Sequence, residues 1–232
     1  NWLNKKFPQE ATKIEPFLKE NQIFFNRITF PVWSKSGRLI GFQARTIFDD
    51  SQAKYLNSKD SDLFKKGNNL YALNFAKMSN KKCCVLVEGN FDVIRLHSIG
   101  VTNCVAPMGT ALTIEQAKLL KQFFDEIVIC YDGDSAGKKA TLKALEILLN
   151  EDFIVKIVSL PEGQDPDSYF RHNPEAEEFL EKEKLDWIDF LYAKSDSQED
   201  IENKIQIQNL ALKIANGIVP DVRRRVSIQA VE

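Results

Sequence analysis

No apolar run in this 232-residue chain comes near the roughly 20 consecutive residues that a helix needs to cross a bilayer. The opening Asn1-Trp2-Leu3-Asn4-Lys5-Lys6 also lacks the charged-then-apolar order of a secretory signal. The two absences together predict a soluble, cytoplasmic protein with no membrane partner. Cysteine is sparse as well. Of Cys83, Cys84, Cys104 and Cys130, no two have C-x-x-C spacing and none has a histidine at ligand spacing, so no zinc is expected and the thiols read as reduced core residues in strand-like runs. Internal repeats and low-complexity tracts are missing too. A composition that is 44% hydrophobic and 28% charged is enough to bury a real core in one or two domains.

Charge is distributed unevenly. Residues 1 to 82 hold 15 Lys and Arg against 7 Asp and Glu, a net of +8, whereas residues 83 to 232 hold 16 against 26, a net of -10. Two solvated surfaces of opposite sign that help two lobes dock would give this division. A phosphate-binding platform beside a cluster of metal-binding carboxylates would give it equally.

Three zones follow along the chain. In the first, Arg27 to Trp33 and Leu39 to Arg45 read as strands of a hairpin closed through Ser34-Lys35-Ser36-Gly37-Arg38. A polar stretch from Asp49 to Asn69, containing Lys54-Tyr55-Leu56-Asn57-Ser58, reads as a long surface connection. In the second zone, apolar runs at 83–87, 101–106, 127–131 and 155–160 alternate with helical patterns at 91–99, 113–124 and 135–149. Such alternation predicts an α/β fold, a mainly parallel sheet flanked by helices. Thr113 and Gln116 have capping-box spacing at a helix start. Beyond Tyr169 the pattern becomes charged and helical, with Phe179, Leu180, Trp187, Phe190 and Leu191 as buried points, and a further helical pattern runs from Ile205 to Ile214 before Pro220.

The strand ends carry the chemistry. Glu88-Gly89 follows the first strand of the second zone, with Asp92 four residues on; Asp132-Gly133-Asp134 follows the third and Asp165-Pro166-Asp167 the fourth. In an open parallel sheet the carboxyl ends of the strands form one crevice, so six carboxylates distant in sequence can converge there. Hard oxygen ligands in that number suit Mg²⁺ or Mn²⁺, and two ions about 4 Å apart can clamp the attacking and leaving oxygens of a phosphoryl transfer. Singly, each aspartate has a plainer use, as a turn former beside Gly or Pro or as a complement to a helix dipole. Gly89 and Gly133 suit close backbone approach at sharp strand-to-helix turns.

Val87-Glu88-Gly89-Asn90-Phe91-Asp92-Val93, Gly109-Thr110-Ala111-Leu112-Thr113, Tyr131-Asp132-Gly133-Asp134-Ser135-Ala136-Gly137 and Leu160 to Asp167 together resemble the Toprim domain of DnaG-type primases. Upstream, Arg27 to Val32, Gly37 to Phe42, Lys54 to Ser58 and Phe64 to Tyr71 resemble the primase-specific segment that precedes it, which separates primases from other Toprim enzymes. The likeness runs from Phe24 to Lys194 and extends more weakly to Ile218-Val219-Pro220-Asp221-Val222-Arg223. It implies a small basic α+β subdomain over 1–82, Toprim over 83–172 and a helical subdomain over 173–232.

Family roles then carry over by position. The resemblance makes Glu88 the Toprim glutamate, assigned in the family to metal binding or to acid/base work, and Asp132 and Asp134 the metal-binding pair. Asp92, Asp165 and Asp167 match further acidic positions, and Arg45, Lys54 and Lys66 match basic positions that hold nucleotide phosphates or nucleic-acid strands. The implied activity is nucleotidyl transfer with two or more Mg²⁺ or Mn²⁺ ions, building an RNA primer from NTPs on a single-stranded DNA template during DNA replication. The family's zinc-binding template-recognition domain and helicase-binding domain have no counterpart here, so a fragment is expected, with the replicative helicase met through a region outside it. Asn90 and Ser135 replace residues common in the family without removing a carboxylate. A Toprim nuclease would use the same carboxylates with water as nucleophile, but the Lys54 to Ser58 segment argues against it. For a topoisomerase, none of the five tyrosines stands out as a nucleophile; a non-catalytic nucleic-acid-binding module is the third alternative.

Overall fold

The computed structural model describes residue 24 and residues 26–48 and 53–195. The helical pattern at 205–214 and the family-like stretch at 218–223 lie outside them.

Strands β1 (Arg27–Trp33) and β2 (Leu39–Thr46) pair antiparallel from Arg27 opposite Thr46 to Trp33 opposite Leu39, as the hairpin reading expects. The turn closes with the Ser34 N–H donating to the Arg38 carbonyl at 2.8 Å, and Gly37 sits at φ +80°. Successive side chains point to opposite faces. Phe42 and Ala44 are buried with Phe24 and Leu39, leaving Gln43 and Arg45 on the other face.

The expected surface connection is not one throughout. Tyr55–Asn57 forms a third strand, β3, antiparallel to β2, with Gln43, Ala44 and Arg45 opposite Asn57, Leu56 and Tyr55. The edge of β2 would otherwise present unpaired backbone groups, and these three residues satisfy them. The Ser58 hydroxyl extends the ladder by accepting from the Phe42 N–H at 2.9 Å. A single 3₁₀ turn spans Lys66–Asn68.

After the short helix α1 (Leu73–Ala76), strands and helices alternate as predicted: β4 (Cys83–Leu86), α2 (Asn90–Ser98), β5 (Cys104–Val105), α3 (Ile114–Lys121), β6 (Glu126–Ile129), α4 (Ser135–Asn150) and β7 (Ile154–Ile157). They are followed by α5 (Pro166–His172), α6 (Ala176–Glu183), β8 (Leu185–Asp186) and α7 (Trp187–Ser195). The sheet order is β5-β4-β6-β7-β8, parallel except for β8. Both faces are covered. Cys84, Leu86, Ile127 and Ile129 meet Leu120 of α3, Leu145 and Leu148 of α4 and Trp187 and Phe190 of α7. Val85, Val87 and Val128 on the reverse face meet Val93 and Leu96 of α2, Phe170 of α5 and Leu180 of α6. Residues 173–195, expected to be helical, thus add β8 and α7 to the layers of this sheet. Truncating any fully buried member such as Leu86 or Ile129 to Ala would cost about 2–5 kcal/mol.

Several contacts join the first 82 residues to the large sheet and its helices. Tyr71 bridges to Ala106, its N–H donating to the Ala106 carbonyl at 2.9 Å. Phe30 of β1 stands edge-on to Phe91 of α2, centroids 5.3 Å apart, and to Tyr71 at 6.2 Å. All four cysteines are free thiols, three of them buried. No described helix is long and apolar enough to cross a membrane.

Candidate active site

Parallel strands deliver Glu88 past the end of β4 and Asp132 past the end of β6, while the first turns of α2, α4 and α5 carry or adjoin Asp92, Asp134, Asp165 and Asp167. The carboxylates do not do equal work there. Asp134 caps α4, its Oδ1 accepting from the Gly137 N–H at 2.7 Å, and Asp165 caps α5, its Oδ1 accepting from the Ser168 N–H at 2.6 Å. Asp167 takes Arg95 Nε at 2.9 Å on one oxygen and Arg171 Nη2 at 2.7 Å on the other. Asp92, 7% exposed, accepts from the Gly89 N–H at 2.9 Å and the Asp167 N–H at 3.1 Å, so it cross-links the starts of α2 and α5.

Burial sets the ionisation of this group. It pushes Asp92 up to about 7 against the pull of those two N–H donors, with the charges of Asp165 and Asp167 adding to the rise. Glu88 is raised by its half-buried position and by Asp134, while the Asp132 N–H, donating to its Oε1 at 3.2 Å, opposes the rise. Asp132 is also pushed up to about 7, by burial first and then by Glu88, Asp92, Asp165 and Asp134. Its Oδ1 is buried without any hydrogen-bond partner. Four carboxylates therefore repel at Asp132, where one oxygen is left without the bond a buried polar atom needs.

Those features fit a hard divalent cation: the donors are oxygens, an orphaned oxygen awaits a partner, and a positive charge would relieve the repulsion. Among the described residues, no group of three or more Asp, Glu, His or Cys side chains is gathered closely enough to hold an ion as it stands. Several of the carboxylates are instead engaged by the caps, the cross-link and the arginines.

Opposite lies the basic wall. Glu88, Asp92, Asp132, Asp165 and Asp167 line a cleft of about 380 Å³ together with Gln43, Arg45, Lys54 and Tyr55 of the small sheet. Arg45 is fixed there, its Nη1 donating to the Tyr55 hydroxyl at 3.3 Å and its guanidinium 4.8 Å from the Phe91 ring centroid. Asp134 and Lys66 are not on the cleft wall. Lys66 is exposed on the 3₁₀ turn, whose carbonyls are held by α3: Gln116 Nε2 donates to Lys66 O at 3.1 Å and Asn69 O at 2.8 Å, and the Thr113 hydroxyl donates to Gly67 O. Sequence reasoning left Gln43 and Phe91 unassigned. The signal for Gln43 was strand period alone, since it stands two residues before Arg45 on the same face.

Two glycines let the loops close. A Cβ on Gly133 would lie 2.1 Å from the Pro161 carbonyl oxygen, and one on Gly137 would lie 2.1 Å from the Asp132 carbonyl oxygen. Both obstacles are backbone, so the loop carrying Asp132 must move or the side chain must be refused. Gly133→Ala should destabilise the protein by about 3 kcal/mol. A urea midpoint equal to the parent's would show that the loops do not pack this closely.

Comparison with known proteins adds to this geometry. The family described as Toprim-like matches residues 85–170, and the DNA primase catalytic core, N-terminal domain, matches residues 4–77. The DnaG primase catalytic domain solved with single-stranded DNA superposes with a TM-score of 0.68 at 31% identity, over 99% of this chain and 72% of that one. The chain belongs to the DnaG-type primases. The DNA primase of Clostridium acetobutylicum is 50% identical over 151 residues, 65% of this chain and 25% of that protein. That of Pasteurella multocida is 37% identical over 211 residues, 87% of this chain and 36% of that protein. The crystal structure of the zinc-binding and RNA polymerase domains of Aquifex aeolicus primase matches with a TM-score of 0.77 and 36% identity, over 93% of this chain and 58% of that one. The chain spans roughly a quarter to a third of the curated primases it matches. Its Toprim fold is one consistent with divalent-metal use.

Proposed function

We propose that this chain carries the catalytic centre for synthesis of short RNA primers from NTPs on a single-stranded DNA template in DNA replication. The observation that carries this reading is the orphaned carboxylate of Asp132, ringed by four others and facing Arg45 and Lys54 across a cleft of nucleotide size. Two or more Mg²⁺ or Mn²⁺ ions, when bound, would lower the pKa of the primer 3′-hydroxyl and neutralise the departing pyrophosphate. Glu88, Asp132 and Asp134 are the residues that would hold them. Asp92, Asp165 and Asp167 surround that centre, with Asp92 and Asp167 also locking α2 to α5. Arg45, held between Tyr55 and Phe91, orients a phosphate without having to be ordered on binding, while Lys54, exposed on the cleft wall, adds a second positive charge.

The deciding experiment incubates the protein with single-stranded DNA, NTPs and Mn²⁺. Labelled RNA supports the reading; cut DNA without RNA would make the centre a nuclease.

The basic residues separate by position. Arg45→Gln and Lys54→Gln should each weaken nucleotide binding, because both line the cleft. Lys66→Gln should leave nucleotide binding unchanged while reducing the slope of log affinity for single-stranded DNA against log salt by about 0.7, one phosphate contact's worth. Titrations at several salt concentrations test this, and unchanged slopes and affinities in all three variants would reduce them to ordinary surface charges.

A further inference from the structure

The three strands of the small sheet place two rows of side chains directly opposite one another. Ile28, Arg45 and Tyr55 form one row, and Phe30, Gln43 and Asn57 the next. Strand period puts both rows on the same face, and the opposite face is closed by Phe24, Phe42 and Ala44. Phe30 seats the face against Phe91 of α2, and of the remaining five residues Gln43, Arg45 and Tyr55 line the cleft. Of these, Arg45 and Tyr55 are already bonded to each other.

Gln43 is 2% exposed, yet it lines the cleft. Its Nε2 donates to Asn57 Oδ1 at 3.0 Å, and among the described residues that is the one hydrogen bond of its side chain. A carboxamide has two N–H donors and an oxygen with two acceptor sites, so Gln43 keeps one donor and both acceptor sites in hand. Asn57 tethers the amide through this bond and so limits how it can turn. Burying polar capacity in a strand without using it is unfavourable, and a bound group able both to donate and to accept would use it.

The other polar groups of the cleft narrow that group's chemistry. Arg45 and Lys54 only donate, which suits phosphate oxygens; ionised carboxylates only accept, which suits a cation. Asn90 has an amide of the same kind, but its polar atoms are sealed from solvent. A hydroxyl is the part of a nucleotide outside the base that both donates and accepts. The geometry points to Gln43, tethered by Asn57, as the residue that recognises a ribose hydroxyl of the bound nucleotide and so separates ribonucleotides from deoxyribonucleotides. This rests on the nucleotide-binding reading of the cleft.

Calorimetric titration of the 232-residue chain with ATP, 2′-deoxy-ATP and 3′-deoxy-ATP in Mn²⁺ tests it, using the parent, Gln43→Met and Asn57→Ser. Met keeps the length and volume of Gln without its polar atoms, and thermal melts report whether each variant is folded. The parent should bind ATP about 10-fold more tightly than at least one deoxy analogue, as expected for one hydrogen bond to a buried partner. Gln43→Met should erase that preference by weakening ATP while leaving the analogue unchanged, and Asn57→Ser, which frees the Gln43 amide without altering it, should erase part of it. Equal binding of all three nucleotides by the parent overturns the role of Gln43 but leaves the cleft a nucleotide site. Uniform weakening of all three in Gln43→Met makes the residue structural and also overturns it. No binding of any of them by the parent overturns both the inference and the reading beneath it.

Discussion

Glu88→Gln should lower metal-dependent RNA synthesis by roughly 100-fold or more, the scale of losing a general acid/base or charge-bearing group, while leaving the protein folded. The structure explains why the two effects separate. Glu88 Oε1 accepts from the Asp132 N–H, and the amide oxygen of Gln accepts the same bond. Burial and Asp134 already disfavour the charged form, so removing the charge relieves the fold. What disappears is a negative oxygen beside Asp132. Single-turnover extension of a primed template, with a thermal melt of the same sample, measures both; a variant that extends at the parent rate would remove Glu88 from the chemistry.

Mn²⁺ should raise the melting temperature of the parent, and Asp132→Asn should abolish that gain while raising the metal-free melting temperature at pH 8. Asp92 and Asp132 hold their protons up to about pH 7 in the folded protein, whereas in the unfolded chain they release them near 3.9. Between those values the folded state binds more protons, so metal-free stability falls as pH rises from about 4 to 7 and levels off above. A cation that binds only the folded form at a hundred times its Kd contributes about 2.7 kcal/mol, which is roughly 5–10 °C for a chain of this size. Melts at pH 5, 7 and 8, in EDTA and in Mn²⁺, test the whole pattern. A parent that is most stable at pH 8 in EDTA, or indifferent to Mn²⁺, would mean that the carboxylates do not converge as described.

Part of this arrangement is legible from residues alone. The alternation from Cys83 to Leu160 is visible because each strand is a short apolar run and each helix repeats its apolar positions, and the Thr113–Gln116 capping box forms as its spacing implies. Strand β3 is not visible, because three residues flanked by Lys54 and Ser58 are too few to show a period, and only the edge of β2 makes them a strand. β8, at two residues, is hidden for the same reason. The six carboxylates are readable as a group, but their division of labour is not. That Asp134 and Asp165 cap helices, that Asp167 is held by two arginines, and that Asp132 keeps an unpartnered oxygen all depend on burial and on neighbours distant in sequence.

Gln116 has no exposed surface, and its side chain is shared between lobes: its oxygen accepts from the Thr113 N–H, and its nitrogen donates to the carbonyls of Lys66 and Asn69. Fraying the first turn of α3 would strand those two carbonyls, and peeling away the 66–69 turn would strand a buried amide, so neither can open alone without the penalty of both. The helix start and the turn behave as one cooperative unit. Lys66, exposed as it is, therefore stands on a turn tied to α3 by hydrogen bonds to the carbonyls of Lys66, Gly67 and Asn69, and a polyanion drawn to it meets a charge whose backbone is already held.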